Sequence, residues 1–202
     1  MLTVDAVRVR IAPAETFLAD RKQAAQLRQR YLAEHEQGTV VVDLESIDFM
    51  TISAAQALIA DWLVAARTRA PLVAIIATPK ADVIEAVDAA LRRTRQGAYW
   101  VRSAAHPDSP QVIGEVTETN ERALAFFHDR PQATASEYAD AEPELKPNAA
   151  TQRLVDLTAR GLLLRQDQAG RVGDLFVYPF KNGRTNGRPS PSSPRSRLAA
   201  AR

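Results

Sequence analysis

The chain has 202 residues, 26 Lys and Arg against 24 Asp and Glu, and no cysteine. This excludes disulfides, thiolate zinc sites and cysteine nucleophiles, and the longest apolar run is far short of a membrane span. Charge is uneven along the chain: residues 1–111 carry 13 basic and 13 acidic side chains, residues 112–180 carry 7 and 11, and residues 181–202 carry 6 and none. The basic character therefore comes from the tail. The opening MLTVDAVRVRI lacks the apolar core of a signal peptide, so a cytoplasmic protein is expected.

Leu2 to Ile11 alternates, with Val7, Val9 and Ile11 opposite Arg8 and Arg10, which predicts a strand with one wet face. A helix is expected from about Ala14 to Glu36, carrying Phe17, Leu18, Ala24, Leu27, Tyr31 and Leu32 at near-helical spacing and closed by Gly38. Thr39–Leu44 is a β-branched apolar run and predicts a buried strand. A loop, Asp43 to Ser53, leads to an apolar-periodic helix ending near Thr68. Leu72–Ala77 predicts a second buried parallel strand, then come a helix to about Gln96 and a short strand over Ala98–Val101. Residues 1–103 thus read as one α/β domain, a sheet covered by helices.

Residues 104–111 lie in the stretch SAAHPDSP and its exit, a linker by composition. Over residues 112–180 the expected elements are a helix capped by Thr117 or Thr119, a short helix over Ser136–Asp140 and a helix over Asn148–Arg160 stopped by Gly161. Two short strands, Leu162–Arg165 and Leu175–Tyr178, form a glycine-bearing hairpin. Residues 181–202 are Gly, Pro, Ser, Asn and Arg with little to bury, and predict a disordered basic tail.

Three helices followed by a hairpin resemble the winged helix-turn-helix, a small α+β fold. LAFFHDRPQATASEY (124–138) is similar to its first helix and the entry to the second. PNAATQRLVDLTARGLL (147–163) is similar to its recognition helix, and QDQAGRVGDLFVYPF (166–180) to its wing. The resemblance implies that the start of the third helix enters the major groove of double-stranded DNA. The matching residues are Asn148, Thr151, Gln152 and Arg153. Asn and Gln suit adenine and Arg suits guanine. Lys146 and Arg171 are placed for phosphates, which give affinity without sequence information. A homodimer would match a two-fold operator. Against DNA stands the acidic balance of residues 112–180. A protein-docking role for the same module stays open.

The segment VVVDLESIDFMTISAAQALIADWLVAAR, with the strand LVAIIAT after it, resembles the STAS fold of anti-sigma factor antagonists, an α/β fold with a mixed sheet and helices. FLADRKQAAQLRQRYLAEHEQG ahead of it is similar to a STAS-like bacterial family of unknown function. In phosphorylatable members the loop ends Asp-Ser-Ser-Gly, and the second serine takes phosphate from a kinase-like ATPase partner. Ser53 matches that serine, whereas Thr51, Ile52 and Ala54 depart from the pattern. A phosphate there would meet a helix N-terminus; the competing reading makes Ser53 or Thr51 an ordinary N-cap.

No catalytic set stands out. His35, His106 and His128 lack metal spacing, no glycine-rich phosphate loop is present, and no cofactor is implied. Asp43, Glu45 and Asp48 cluster after the central strand but lack the lysine and acidic pair of a receiver-type Mg²⁺ site. The expectation is a non-enzymatic, DNA-binding transcriptional regulator with a STAS-like sensor or interaction domain. The alternative is a partner-switching adaptor whose winged helix docks protein.

Overall fold

The computed structural model describes residues 5–107, 109–166 and 173–180. Strand β1 (Ala6–Arg10), the two-residue β2 (Phe17–Leu18) and helix α1 (Arg21–Tyr31) come first. They are followed by β3 (Gly38–Asp43) and β4 (Phe49–Met50). A helical run comes next: α2 (Ile52–Ala55), a π turn (Gln56–Ala60) and α3 (Asp61–Arg67). Then come β5 (Leu72–Ala77), α4 (Ala81–Arg93), β6 (Gly97–Val101) and β7 (Gln111–Gly114). The chain continues with α5 (Glu118–Asp129), β8 (Gln132–Thr134), α6 (Ala135–Ala141), α7 (Pro147–Ala159), β9 (Leu164–Gln166) and β10 (Leu175–Val177).

Five strands form a mixed sheet in the order β1-β3-β5-β6-β7. The first four are parallel and β7 runs antiparallel to β6. The parallel strands are added in one direction. Right-handed crossovers then place every connecting helix on the same face. That face packs Val40, Val42, Ala74, Ile76 and Ala98 against residues such as Leu27, Leu58 and Val87 of the helices.

The same rule leaves the other face bare, although β3, β5 and β6 are apolar on both sides. Val41, Val73, Ile75, Ala77, Tyr99 and Val101 point that way. The C-terminal third covers them: Phe127, Leu154, Leu162, Tyr178 and Phe180 belong to the same buried cluster. Here the structure departs from the division expected at residues 104–111. Gln111–Gly114, read as linker end and start of a second domain, is a strand of the N-terminal sheet. One core spans the expected boundary, because two-sided apolar strands need cover on both faces.

The C-terminal third has its own three-stranded antiparallel sheet, β8-β10-β9, with α5, α6 and α7 around it. Helix α6 begins in a capping box, Thr134 with Glu137. Helix α7 ends at Gly161, which takes φ +73°. The Leu162 N–H donates to the Leu157 carbonyl and the Gly161 N–H to that of Thr158, both at 2.9 Å. This is the paired C-terminal closure that a left-handed residue permits. The first helix is shorter than expected: Asp20 caps it, accepting from the Lys22 N–H at 2.8 Å, and Phe17–Leu18 ahead of it are strand. Residues 181–202, expected to be a disordered tail, lie outside the described residues.

Candidate nucleic-acid interface at the start of helix α7

Lys146 holds the N-cap position of α7 in an extended conformation and gives the helix no side-chain cap. Pro147 follows at the first helical position, where its missing N–H costs nothing. Ala150, Leu154 and Leu157 bury one face of the helix. Asn148, Thr151 and Gln152 lie at i, i+3 and i+4, so they share the opposite face, and all three are exposed. The Thr151 hydroxyl donates back to the Pro147 carbonyl at 3.2 Å. Asn148 and Gln152 have no side-chain partner among the described residues. Two amides with free donors and acceptors therefore stand side by side in solvent.

Arg153 is placed differently. It is half-buried and one guanidinium N–H donates to the hydroxyl of buried Tyr138 at 3.1 Å. It ties α7 to α6. Arg171, the expected wing contact, lies outside the described residues.

Most cations of this region are engaged locally. Arg122 pairs with Glu118 at 2.6 Å, Arg160 with Asp156 at 2.8 Å and Glu115 at 3.6 Å, and Arg165 with Asp174 at 2.6 Å. Arg130 lies over the Phe126 ring at 5.1 Å. Lys146 makes no ion pair with a described residue, and Glu142 and Glu144 are exposed just ahead of it. The start of α7 thus presents hydrogen-bonding groups with little positive charge around them.

The loop between β3 and α2 shows the opposite arrangement. Asp43 is 1% exposed; it pairs with Arg8 at 2.5 Å and accepts from the Glu45 N–H at 3.0 Å. The Glu45 carboxylate accepts from the Ser103 hydroxyl at 2.9 Å and the Ala104 N–H at 3.1 Å. Asp48 pairs with Lys80 at 2.8 Å. Hydrogen bonds from Lys80, and then from Thr16, hold its carboxyl below the usual range. Each of the three acids is tied to a different element. Among the described residues no group of three His, Asp or Glu side chains is arranged to hold a metal ion.

Thr51 is the N-cap of α2: its hydroxyl oxygen accepts from the Ala54 N–H at 3.2 Å, and the hydroxyl donates to the Ala19 carbonyl at 3.1 Å. This settles which residue caps. Ser53 is the second residue of the helix and is exposed, with no side-chain partner among the described residues. Beside this turn, Phe17 of β2 and Phe49 of β4 stack at 5.6 Å. They are 63% and 36% exposed. Phe17 and Leu18, both expected in the first helix, alternate as strand residues do: only Leu18 is buried.

No protein-family model matches the chain, and neither a curated protein nor a solved structure matches it. Among the described residues no helix is long and apolar enough to cross a membrane.

Proposed function

We propose that the protein is a non-enzymatic, DNA-binding transcriptional regulator of the winged helix-turn-helix kind, with a STAS-like sensor or interaction layer at its N-terminus. The observation that carries this reading is the start of α7, where Asn148 and Gln152 share an exposed face and have no intramolecular partner. Such amides bond adenine through two contacts in the major groove. The element order supports it too: helix, strand, helix, helix, hairpin, with β8 and the hairpin in one small sheet. Phosphate binding needs cations, and the folded surface near α7 offers mainly Lys146. The six basic residues of 181–202 and Arg171 supply the rest on this reading. Base discrimination then comes from α7 and most of the affinity from the tail.

The test is selection of bound sequences from a random double-stranded DNA pool, followed by titration across salt concentration. An enriched motif that loses its preference in Gln152→Ala supports the reading. Removing residues 181–202 should weaken binding to all sequences and flatten the slope of log K against log salt by up to about 5. Recovery of no enriched motif would count against it. A homodimer on a two-fold operator belongs to the same proposal, checked by sedimentation with and without DNA.

One observation favours a second reading, the partner-switching adaptor. Ser53 is exposed and is not the cap, so its hydroxyl is open to a kinase-like ATPase. In that case intact-mass spectra from cells carrying the kinase show a phosphorylated species that Ser53→Ala abolishes, and the C-terminal third docks protein instead of DNA.

A further inference from the structure

The helical run that starts at Ile52 keeps helical backbone through the π turn to Arg67. At about 1.5 Å per residue it spans roughly 24 Å. It is buried on most sides through small and apolar residues, among them Ala54, Ala57, Leu58, Leu63 and Ala66, and packs between α1 and α4. Its first turn carries exposed Ser53. Its last residue lies beneath the far end of α7.

That last residue is Arg67. Its guanidinium donates to the Leu72 carbonyl at 3.1 Å, the Gln96 side-chain oxygen at 2.5 Å and the Gly97 carbonyl at 2.9 Å. It has no carboxylate partner among the described residues. Burial pulls its pKa down to about 9, so it remains a cation at neutral pH. The guanidinium occupies the space that a side chain at Gly161 would take. Gly161 ends α7, and a cation there meets the negative end of the helix dipole. Around it, the Gly97 N–H donates to the Arg160 carbonyl at 3.0 Å and the Tyr99 hydroxyl to the Leu162 carbonyl at 2.6 Å. The C-terminal end of α7 is therefore seated on the start of β6, with Arg67 as the floor of the seat.

We propose that the helix Ile52–Arg67 is a lever coupling its exposed first turn at Ser53 to this seat, so that a change at the first turn alters how firmly α7 is held. The π turn Gln56–Ala60 is the place where such a helix shifts register. Its hydrogen bonds step over five residues instead of four, and turns of this kind recur at functional sites. Arg67 is a positioning residue in this scheme and touches no ligand. The inference goes beyond the DNA-binding reading and holds whichever partner α7 takes.

The experiment is residue-resolved amide exchange on the full-length protein without DNA. The probe is the Gly97 amide, whose bond crosses to Arg160. Ser53→Glu places a charge on the first turn, far from α7. The expected result is a change in Gly97 protection of at least about fivefold, shrinking below about twofold when the same substitution is made in an Arg67→Lys background. If Arg67→Lys fails to fold by circular dichroism, Gln96→Leu takes its place, because it removes one acceptor and keeps the cation. Equal changes in both backgrounds would mean that Arg67 is structural only. Gly97 protection that stays within about twofold on Ser53→Glu would likewise overturn the lever.

Discussion

The loop after β3 and the start of α7 are both polar, both sit at element ends and both looked functional in the sequence. They differ in what their polar groups touch. Asp43, Glu45 and Asp48 each hold another element through an ion pair or a set of hydrogen bonds. Asn148 and Gln152 hold nothing among the described residues. Groups that fasten a fold lose stability when removed, whereas groups held ready for a partner lose only binding when removed. The clustered acids after the buried strand are thus spent on the fold, whereas the two amides on the helix are left open to a partner.

The largest expected effect concerns what the loop helps to fasten. A chain cut after residue 103 bares Val41, Val73, Ile75, Ala77, Tyr99 and Val101. At about 1.5–3 kcal/mol for each larger side chain, the loss is on the order of 10 kcal/mol, comparable with the whole stability of a domain. The fragment should be unfolded or aggregated by circular dichroism and light scattering. A cooperative melt at full amplitude would restore the two-domain division.

Asp43→Ala sharpens the contrast next. It removes the acceptor for the Glu45 N–H and the partner of Arg8, and should cost about 1–3 kcal/mol in urea unfolding with no change in any binding by α7. The seat of α7 gives a pH signature. Burial raises Tyr178 to about 12 and Tyr99 well above its ordinary value. The folded state therefore binds more protons than the unfolded chain as pH rises past about 10, and stability falls from there upward. Tyr178→Phe should remove one proton from that slope between pH 10 and 12, read from unfolding midpoints. Arg95 takes φ +55° after α4 without being glycine, so Arg95→Gly should stabilise by about 1 kcal/mol.

Much of the fold could be read locally. Leu72–Ala77 was expected with the bounds it has, and β3 within a residue, because an uninterrupted apolar run of that length is characteristic of a buried parallel strand. The strands β2, β4, β7 and β8 have two to four residues, too few to show a period. Phe17–Leu18 fit a helical period and so read as part of α1, although Asp20 marks the true start. The covered second face was written in the sequence only as a demand: strands apolar on both sides need two covers, and residues far along the chain provide one of them, Leu162 meeting Tyr99 across 63 positions. At the candidate site, the amphipathic pattern of α7 placed Asn148, Thr151 and Gln152 outward correctly. It could not show that Arg153 turns to Tyr138, fifteen positions earlier and on another helix. The choice of cap between Thr51 and Ser53 needed the Ala19 carbonyl, which only the β2–β4 pairing brings near.

The contrast is tested most directly by Gln152→Ala, assayed for stability and for DNA discrimination in the same preparation. The prediction is a urea midpoint changed by less than about 0.5 kcal/mol in stability and a loss of roughly tenfold to hundredfold in preference for the selected motif over a variant at the contacted base pair. Unchanged preference, or a fall in stability as large as that of Asp43→Ala, would contradict the account.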